Sequence, residues 1–160
     1  MTASVDSWES STPMPTAVDV ETSRLHHRIR IELIRLLSDA TPLAWSVVDG
    51  TRCTAGSHTV ELDIAVRPIA AAGPLGPPLL CIDVHASGPT TQGAQQRARR
   101  RSLAQLGIDH YWSLDTATRE LDVWVRTDDE YRHAETLTDD DWLDYGIGLI
   151  HLDIHHLLEA

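Results

Sequence analysis

The segment LLCIDVHASGPTTQGAQQRARRRSLAQLGIDHYWSLD, residues 79–115, decides the fold of this 160-residue chain. Its first seven residues are almost all apolar, which is typical of a strand that is buried on both faces. A polar loop and a helix follow, and Gly107 closes the helix at about Leu106. A second strand is predicted at residues 110–114. A strand, a helix and a strand in this order indicate two parallel strands joined by a crossover helix.

The residues before this segment predict a tail followed by a helix. Residues 1–20 are rich in Ser, Thr and Pro and show no periodicity, so we expect them to be disordered. A helix is predicted from Thr22 or Ser23, either of which can cap it, to about Asp39. The apolar stripe of this helix consists of Leu25, Ile29, Leu33 and Leu36.

Several strands are predicted on the two sides of the crossover unit. Two short strands are expected before and after Asp49-Gly50, because this dipeptide is typical of hairpin turns. Residues 59–66 alternate apolar and polar side chains, which places Glu61 and Asp63 on one face of a strand. The other predicted elements are a strand at residues 121–126, an edge strand at 131–137, a short helical turn capped by the charge run at 139–141, and a helix at residues 153–159.

These elements predict an α/β fold in which a mixed β-sheet is flanked by an N-terminal helix and a crossover helix. By its size, the chain has a single domain, at residues 21–160. No apolar run approaches the roughly 18 residues that cross a bilayer, and the first residues do not resemble a secretory signal. We expect Cys53 and Cys81 to be buried free thiols, which favours a cytoplasmic protein with no membrane partner.

The charge of the chain limits its binding to DNA. The formal net charge is −11, whereas phosphate contacts from basic residues supply most of the affinity of DNA-binding proteins. The chain has no lysine, so all 13 of its cationic side chains are arginine. The densest basic cluster consists of Arg97, Arg99, Arg100 and Arg101. DNA is therefore a possible but weak partner, unless this cluster overrides the mean repulsion.

Two aspartates are the strongest candidates for a functional site. Asp63 and Asp83 lie on different predicted strands, and Asp83 shares its face with His85 because the strand period is two. Two carboxylates on adjacent strands can hold Mg²⁺ or Mn²⁺ against a phosphodiester. The metal then polarises the phosphate and lowers the pKa of a bound water. Acids at strand ends are also common, so the spacing alone leaves a structural role open.

Arg99 strengthens the case for a site beside these aspartates. It is four residues before Leu103 and seven before Leu106, so it shares the helix face that packs on the sheet. An inward arginine needs a carboxylate partner, and Asp83 is the expected one. A guanidinium can stabilise a phosphate, whereas a plain Asp83–Arg99 ion pair without catalysis is the alternative. The arginines expected to meet solvent are Arg97, Arg100 and Arg101.

Other side chains are weaker candidates. His85 can bind a metal or activate water. Glu32 falls within the apolar stripe of the first helix, and a carboxylate in that position suggests a partner such as the metal. The C-terminal segment HLDIHH, residues 151–156, contains histidines that can bind zinc, although a solvated helix face is the more common arrangement.

Four segments resemble the Uma-two family of endonucleases, which belong to the PD-(D/E)XK superfamily. GIDHYWSLD (107–115) is similar to the family motif G-V-x-E-Y-W-x-V-D, and ELDIAV (61–66) is similar to its P-D-[IV] strand. CIDVHASGPT (81–90) is similar to E-V-x-S-P-S, and GIGLIHLDIHHLL (146–158) to the closing L-x-G-L-x-L-D-L-x-x-L-F. The resemblance extends from about Arg24 to the C-terminus.

This resemblance implies a restriction-endonuclease-like sandwich and a metal-dependent DNA endonuclease. It places Asp63 and Asp83 at the first and second acids of the family's active site, and Arg99 where the family has a lysine. The chain departs from the family pattern at several positions: Leu62 replaces a proline, Asp83 a glutamate, His85 and Ala86 the usual residues after that acid, and Arg99 the lysine. The active site is therefore expected to be degenerate.

Two hypotheses for the function follow. In the first, the protein is an Mg²⁺-dependent or Mn²⁺-dependent endonuclease: Asp63 and Asp83 bind the metal, Arg99 steadies the scissile phosphate, and His85 or Glu32 assists. In the second, it is an inactive nuclease fold that acts as a binding or regulatory module, through a partner protein or as a homodimer. The acidic charge and the missing lysine favour the second, and the retained acids and the inward arginine favour the first. A zinc hydrolase that uses the C-terminal histidines is a remote third reading.

Overall fold

The computed structural model describes residues 17–69, 76–86 and 92–159. The elements in chain order are α1 (Ala17–Ala40), β1 (Trp45–Ala55), β2 (His58–Pro68), β3 (Leu80–His85), α2 (Gln92–Gln105), β4 (His110–Asp115), β5 (Glu120–Thr127), β6 (Glu130–Leu137), β7 (Asp140–Asp144), β8 (Leu149–Asp153) and α3 (Ile154–Glu159).

The principal sheet has the strand order β1-β2-β3-β4-β5-β6. The neighbouring strands pair antiparallel with one exception, because β3 and β4 are parallel and are joined by α2. Their register pairs Leu80 with His110 and His85 with Asp115. The predicted mixed sheet, its crossover helix and the edge strand β6 are therefore confirmed.

Helices cover both faces of this sheet. Helix α1, the β7–β8 hairpin and α3 form the larger core with one face, and α2 packs on the other. In β3, Leu80, Ile82 and Val84 point towards α1, while Cys81 and Asp83 point towards α2, as the strand period predicts. The predicted sandwich is thus confirmed, with α1 and α2 as its outer layers.

Helix α1 begins earlier than the sequence predicts. It starts at Ala17, so the predicted cap at Thr22 or Ser23 is wrong. The first residues of the helix belong to the segment that was expected to be a tail, and residues 1–16 of that segment lie outside the described residues. The fully buried positions of α1 are Ile29, Leu33 and Leu37. Leu25 and Leu36 are only partly buried, so the stripe is rotated from the predicted one.

The β1–β2 hairpin corrects a second expectation. Asp49-Gly50 is not a turn but lies inside β1, and the chain reverses after Ala55. Gly50 has a φ of 57° between the paired residues Asp49 and Thr51, a conformation that glycine adopts without strain. The alternation of β2 breaks opposite this point, because Leu62 packs towards α2 whereas Ile64 packs towards α1. A glycine bend inside a strand accounts for both observations.

Helix α2 ends in the way that Gly107 predicts. Gly107 has a φ of 80°, and its N–H donates to the Ala104 carbonyl at 2.9 Å. The Ile108 N–H donates to the Leu103 carbonyl at 3.3 Å. These two bonds form a Schellman motif, which turns the chain directly into β4.

The C-terminal part differs from the prediction in one element. Residues 139–141 were expected to begin a helical turn, but Asp140 and Asp141 lie in β7, which pairs with β8. Helix α3 is confirmed, and Asp153 caps it by accepting the His156 N–H at 2.9 Å. Cys53 and Cys81 are buried free thiols, as expected. In the described part of the chain, no helix is long and apolar enough to cross a membrane.

The stability of this fold should depend on pH through His110. Burial lowers the pKa of His110, and its Nδ1 is buried without a hydrogen-bond partner among the described residues. The unfolded chain has the ordinary histidine pKa and therefore takes up the proton first as the pH falls. We expect the free energy of unfolding to decrease below about pH 6.5.

Denaturant titrations of the wild type and of His110→Gln between pH 5 and pH 8 measure this effect. The substitution should make the free energy of unfolding depend less on pH, whereas His27→Gln, at an exposed position of α1, should leave the dependence unchanged. Equal pH dependences in the wild type and in His110→Gln would contradict the expectation.

Candidate active site

The site begins where the β2–β3 ladder ends. The last pair of this ladder is Ile64 with Ile82, so one step further would place Asp63 opposite Asp83. Instead, Asp63 Oδ2 accepts the Val84 N–H at 2.9 Å. The Asp63 side chain therefore accepts a hydrogen bond that a backbone carbonyl of β2 would accept in a continuous ladder. Beside the two carboxylates, β2 and β3 separate.

Asp83 is held by a two-pronged ion pair with Arg99. Arg99 Nε donates to Asp83 Oδ2 at 2.6 Å, and Arg99 Nη2 donates to Asp83 Oδ1 at 2.7 Å. The Asp83 side chain is 11% exposed and the Arg99 side chain 31%. Arg99 Nη2 also donates to the Glu61 carbonyl, so one guanidinium joins α2 to both β2 and β3. The predicted inward orientation of Arg99 and its pairing with Asp83 are thus observed.

The protonation of this pair follows from its surroundings. Burial acts to lower the pKa of Arg99, but the hydrogen bond and the negative charge of Asp83 outweigh it and raise the pKa well above the ordinary arginine value. Arg99 is therefore a permanent cation. Tyr111 donates its hydroxyl to Asp83 Oδ2 at 3.1 Å. Burial first, and the charge of Asp83 second, raise the pKa of Tyr111, so the hydroxyl keeps its proton.

Asp63 faces helix α1 as well as the cleft. His26 Nε2 lies 3.3 Å from Asp63 Oδ2, and Arg30 Nη1 lies 3.8 Å from Asp63 Oδ1. Arg30 also pairs with Asp49 on β1. Sequence reasoning missed His26 and Arg30. The available signal was that His26 precedes the buried Leu33 by seven residues and so lies on the inward side of α1.

His85 extends the site along β3 and is held by several polar groups. His85 Nε2 lies 2.7 Å from Ser113 Oγ and 3.3 Å from Gln96 Nε2, and His85 Nδ1 lies 4.0 Å from Asp115 Oδ2. A carboxylate beside one ring nitrogen favours the proton on that nitrogen, which leaves Nε2 as an acceptor.

These side chains line a common cleft. Its volume is about 280 Å³, and its lining residues are Asp63, Asp83, His85, Gln95, Gln96, Arg99 and Tyr111. An adjacent cleft of about 290 Å³ is lined by Thr22, Ser23, His26, His85, Ala86 and Thr116. His85 lines both clefts. The structure thus brings together the four predicted catalytic residues, Asp63, Asp83, His85 and Arg99.

The structure does not bring Glu32 or the C-terminal histidines to a metal site. The Glu32 carboxylate accepts two hydrogen bonds from Arg35 on the same helix, at 2.6 and 3.0 Å, and Glu32 does not line the cleft. The prediction that Glu32 binds the metal is therefore corrected, because its carboxylate is already paired with Arg35, one helical turn away. Within residues 17–69, 76–86 and 92–159, no three acidic, histidine or cysteine side chains cluster as metal ligands, which also removes the support for a zinc site at residues 151–156.

One of the other three arginines of α2 departs from its expectation. Arg97 and Arg101 are exposed, as predicted, but the Arg100 guanidinium lies 3.9 Å from the centre of the Trp124 ring. This cation–π contact keeps Arg100 partly buried.

The fold resembles that of a solved protein. The chain is similar to a "putative nuclease belonging to DUF820" from Anabaena variabilis, with a TM-score of 0.65 and 18% sequence identity. The similarity covers 92% of this chain and 83% of the other. No family model and no curated protein matches the chain. The two proteins share a fold, which confirms the predicted fold class.

Removing Arg99 should destabilise the protein. Arg99→Ala leaves the largely buried Asp83 carboxylate without its cation, which should cost about 2–4 kcal/mol of unfolding free energy. Arg101→Ala is the matched control, because Arg101 is exposed on the same helix. This control should change stability by less than about 0.5 kcal/mol.

Urea denaturation of both variants measures the difference. The double variant Asp83→Leu, Arg99→Ala should recover part of the loss, because no carboxylate is then left without a partner. Equal effects of Arg99→Ala and Arg101→Ala would show that the ion pair contributes nothing to stability.

Proposed function

We propose that this protein is a metal-dependent nuclease that hydrolyses phosphodiester bonds of DNA in the cleft of Asp63, Asp83, His85 and Arg99. The observation that carries the proposal is the convergence of two strand carboxylates and an arginine of the crossover helix on one cleft. The resemblance to Uma-two endonucleases supports it, and so does the fold shared with the protein described as a "putative nuclease".

The donor chemistry of the cleft suits Mg²⁺ or Mn²⁺. Asp63 and Asp83 would hold the ion, which when bound supplies positive charge for the phosphate and an acidified water. Mg²⁺ in proteins commonly takes one or two carboxylates and completes its shell with water and substrate phosphate. A pair of aspartates therefore suffices, and a third protein ligand is not required.

Arg99 would bind the phosphate without leaving Asp83. Its contacts with Asp83 and Glu61 use Nε and Nη2. Within the described residues, Nη1 makes no hydrogen bond and keeps its donors for a phosphate oxygen. The fixed fork of a guanidinium matches the oxygens of a phosphate, and its permanent charge stabilises the transition state.

His85 would serve as the proton acceptor of the reaction. Arginine cannot take this role, because its pKa is far above neutral, and Tyr111 keeps its own proton. His85 lies in the same cleft and has a carboxylate on its Nδ1 side. To take a proton on Nε2 from the attacking water, His85 would have to give up its contact with Ser113 or Gln96, which lie 2.7 and 3.3 Å from that nitrogen.

The second candidate is a nuclease fold that binds a partner without cleaving it. This function is favoured by the contacts of Asp83, because Arg99 and Tyr111 already occupy both of its oxygens. A metal would have to share or displace these donors. The net charge of −11 also opposes tight association with nucleic acid.

Cleavage assays on plasmid and single-stranded DNA with Mg²⁺ or Mn²⁺ distinguish the two functions. Asp63→Asn and Asp83→Asn should reduce the rate about 100-fold or more, because each removes a ligand or its charge. Asp39→Asn, an exposed acid on α1, should retain the wild-type rate.

Two results would decide against the nuclease. Cleavage that survives in Asp83→Asn would come from a contaminant. If the wild type cleaves neither substrate with either metal, the second function holds, and the protein binds a partner without cleaving it.

A further inference from the structure

The outer side of α2 carries a second basic surface, which does not belong to the cleft. Arg97, Arg100 and Arg101 are related as i, i+3 and i+4, so they share one face of the helix. Gln95 and Arg99 are on the face that lines the cleft. We call the three arginines the outer arginine face. Together with Trp124, Asp129, Glu130 and Tyr131 they line a groove of about 220 Å³.

Among the described residues, no carboxylate forms an ion pair with the outer arginine face. The arginine ion pairs of the described residues involve Arg30, Arg35, Arg52, Arg99, Arg119 and Arg126. Asp129 and Glu130 share the groove but form no ion pair with it among the described residues. The chain has 24 acidic and 13 basic side chains, so acids to neutralise three arginines are plentiful. Three unpaired cations of one helix face repel one another, and this cost is relieved when an anion binds between them.

The aromatic contact on this face orients a cation. The guanidinium of Arg100 lies over Trp124, and the His133 ring packs against the same indole in an edge-to-face arrangement with the ring centroids 4.7 Å apart. Trp124 is thus covered on one side by Arg100. The groove therefore presents charge and N–H donors, which suit a phosphate backbone.

We propose that the outer arginine face binds the phosphate backbone of a nucleic acid strand whose neighbouring phosphates lie in the cleft. Arg100 and Arg101 directly follow Arg99 but point to another side of α2, and a helix with its side chains is only about 10–12 Å wide. A strand that crosses α2 can therefore contact both the cleft and the outer face. This inference rests on the proposed nuclease function, because that function places the neighbouring phosphates in the cleft. Binding of the strand to the outer arginine face does not itself require cleavage.

Fluorescence anisotropy with a labelled single-stranded oligonucleotide, in EDTA so that cleavage cannot occur, tests this surface. The double variant Arg97→Gln, Arg101→Gln should weaken binding at least about tenfold at low salt, because it removes two phosphate contacts. The slope of log affinity against log salt should fall by about 1.4, which corresponds to about 0.7 for each contact on a single strand.

The matched control is the double variant Arg28→Gln, Arg35→Gln on exposed positions of α1. It removes the same total charge from the opposite layer of the sandwich, so it separates a local contact from a change in net charge. We expect it to change the affinity less than twofold. Circular dichroism of each variant confirms that it is folded.

The outcomes separate this inference from the nuclease proposal. Equal weakening in the two double variants would overturn the outer arginine face as a binding surface, and so would a wild-type protein that does not bind the oligonucleotide in 50 mM salt. If binding depends on Arg97 and Arg101 but no DNA is cleaved with any metal, the surface stands and the nuclease fails. If the α2 double variant binds and cleaves as the wild type does, the nuclease stands and this surface fails.

Discussion

The ion pair between Asp83 and Arg99 is the interaction on which the rest of the site depends. It lies where β2 and β3 separate and where Asp63 Oδ2, rather than a backbone carbonyl, accepts the Val84 N–H. Through the Glu61 carbonyl, the same guanidinium also ties β2 to α2. Without Arg99, the largely buried Asp83 carboxylate would be an unpaired charge and would lower the free energy of unfolding. The pair therefore fixes the crossover helix over the sheet and sets the shape of the cleft.

The pairing also explains why arginine at this position is not equivalent to lysine. A lysine offers one compact ammonium group, whereas the fork of Arg99 satisfies both oxygens of Asp83 and a backbone carbonyl at once. The cleft thereby gains rigidity, but any metal ion that bound Asp83 would have to compete with Arg99. Asp63 lies in a different environment, because its neighbours His26 and Arg30 come from α1. The two acids thus connect the cleft to opposite layers of the sandwich, and Arg99 controls access to one of them.

Local periodicity in the sequence was sufficient to predict the parts of the site that lie on regular elements. The period of two in β3 placed Asp83 and His85 on one face, and the period of the helix turned Arg99 towards them. The turn predicted at Asp49-Gly50 was wrong. This dipeptide is common in hairpin turns, but here Gly50 bends the chain within a long strand. The metal-binding role predicted for Glu32 was wrong for two reasons. The buried apolar stripe of α1 is rotated from the predicted one, and the Glu32 carboxylate forms an ion pair with Arg35 on the same helix. The spacing of His26 from Leu33 indicates only that His26 lies on the inward side of α1, whereas its contact with Asp63 depends on how α1 packs on the sheet.

The competition between Arg99 and a metal ion for Asp83 can be measured directly. Calorimetric titration with Mn²⁺ of the wild type, of Arg99→Met and of Arg101→Met compares their affinities, with the last variant as the control for lost charge. If the two aspartates and Arg99 share one cleft, Arg99→Met should bind Mn²⁺ at least about tenfold more tightly than either other protein, a gain of about 1.4 kcal/mol. Equal affinities in Arg99→Met and Arg101→Met, or no Mn²⁺ binding in any of the three, would contradict this account.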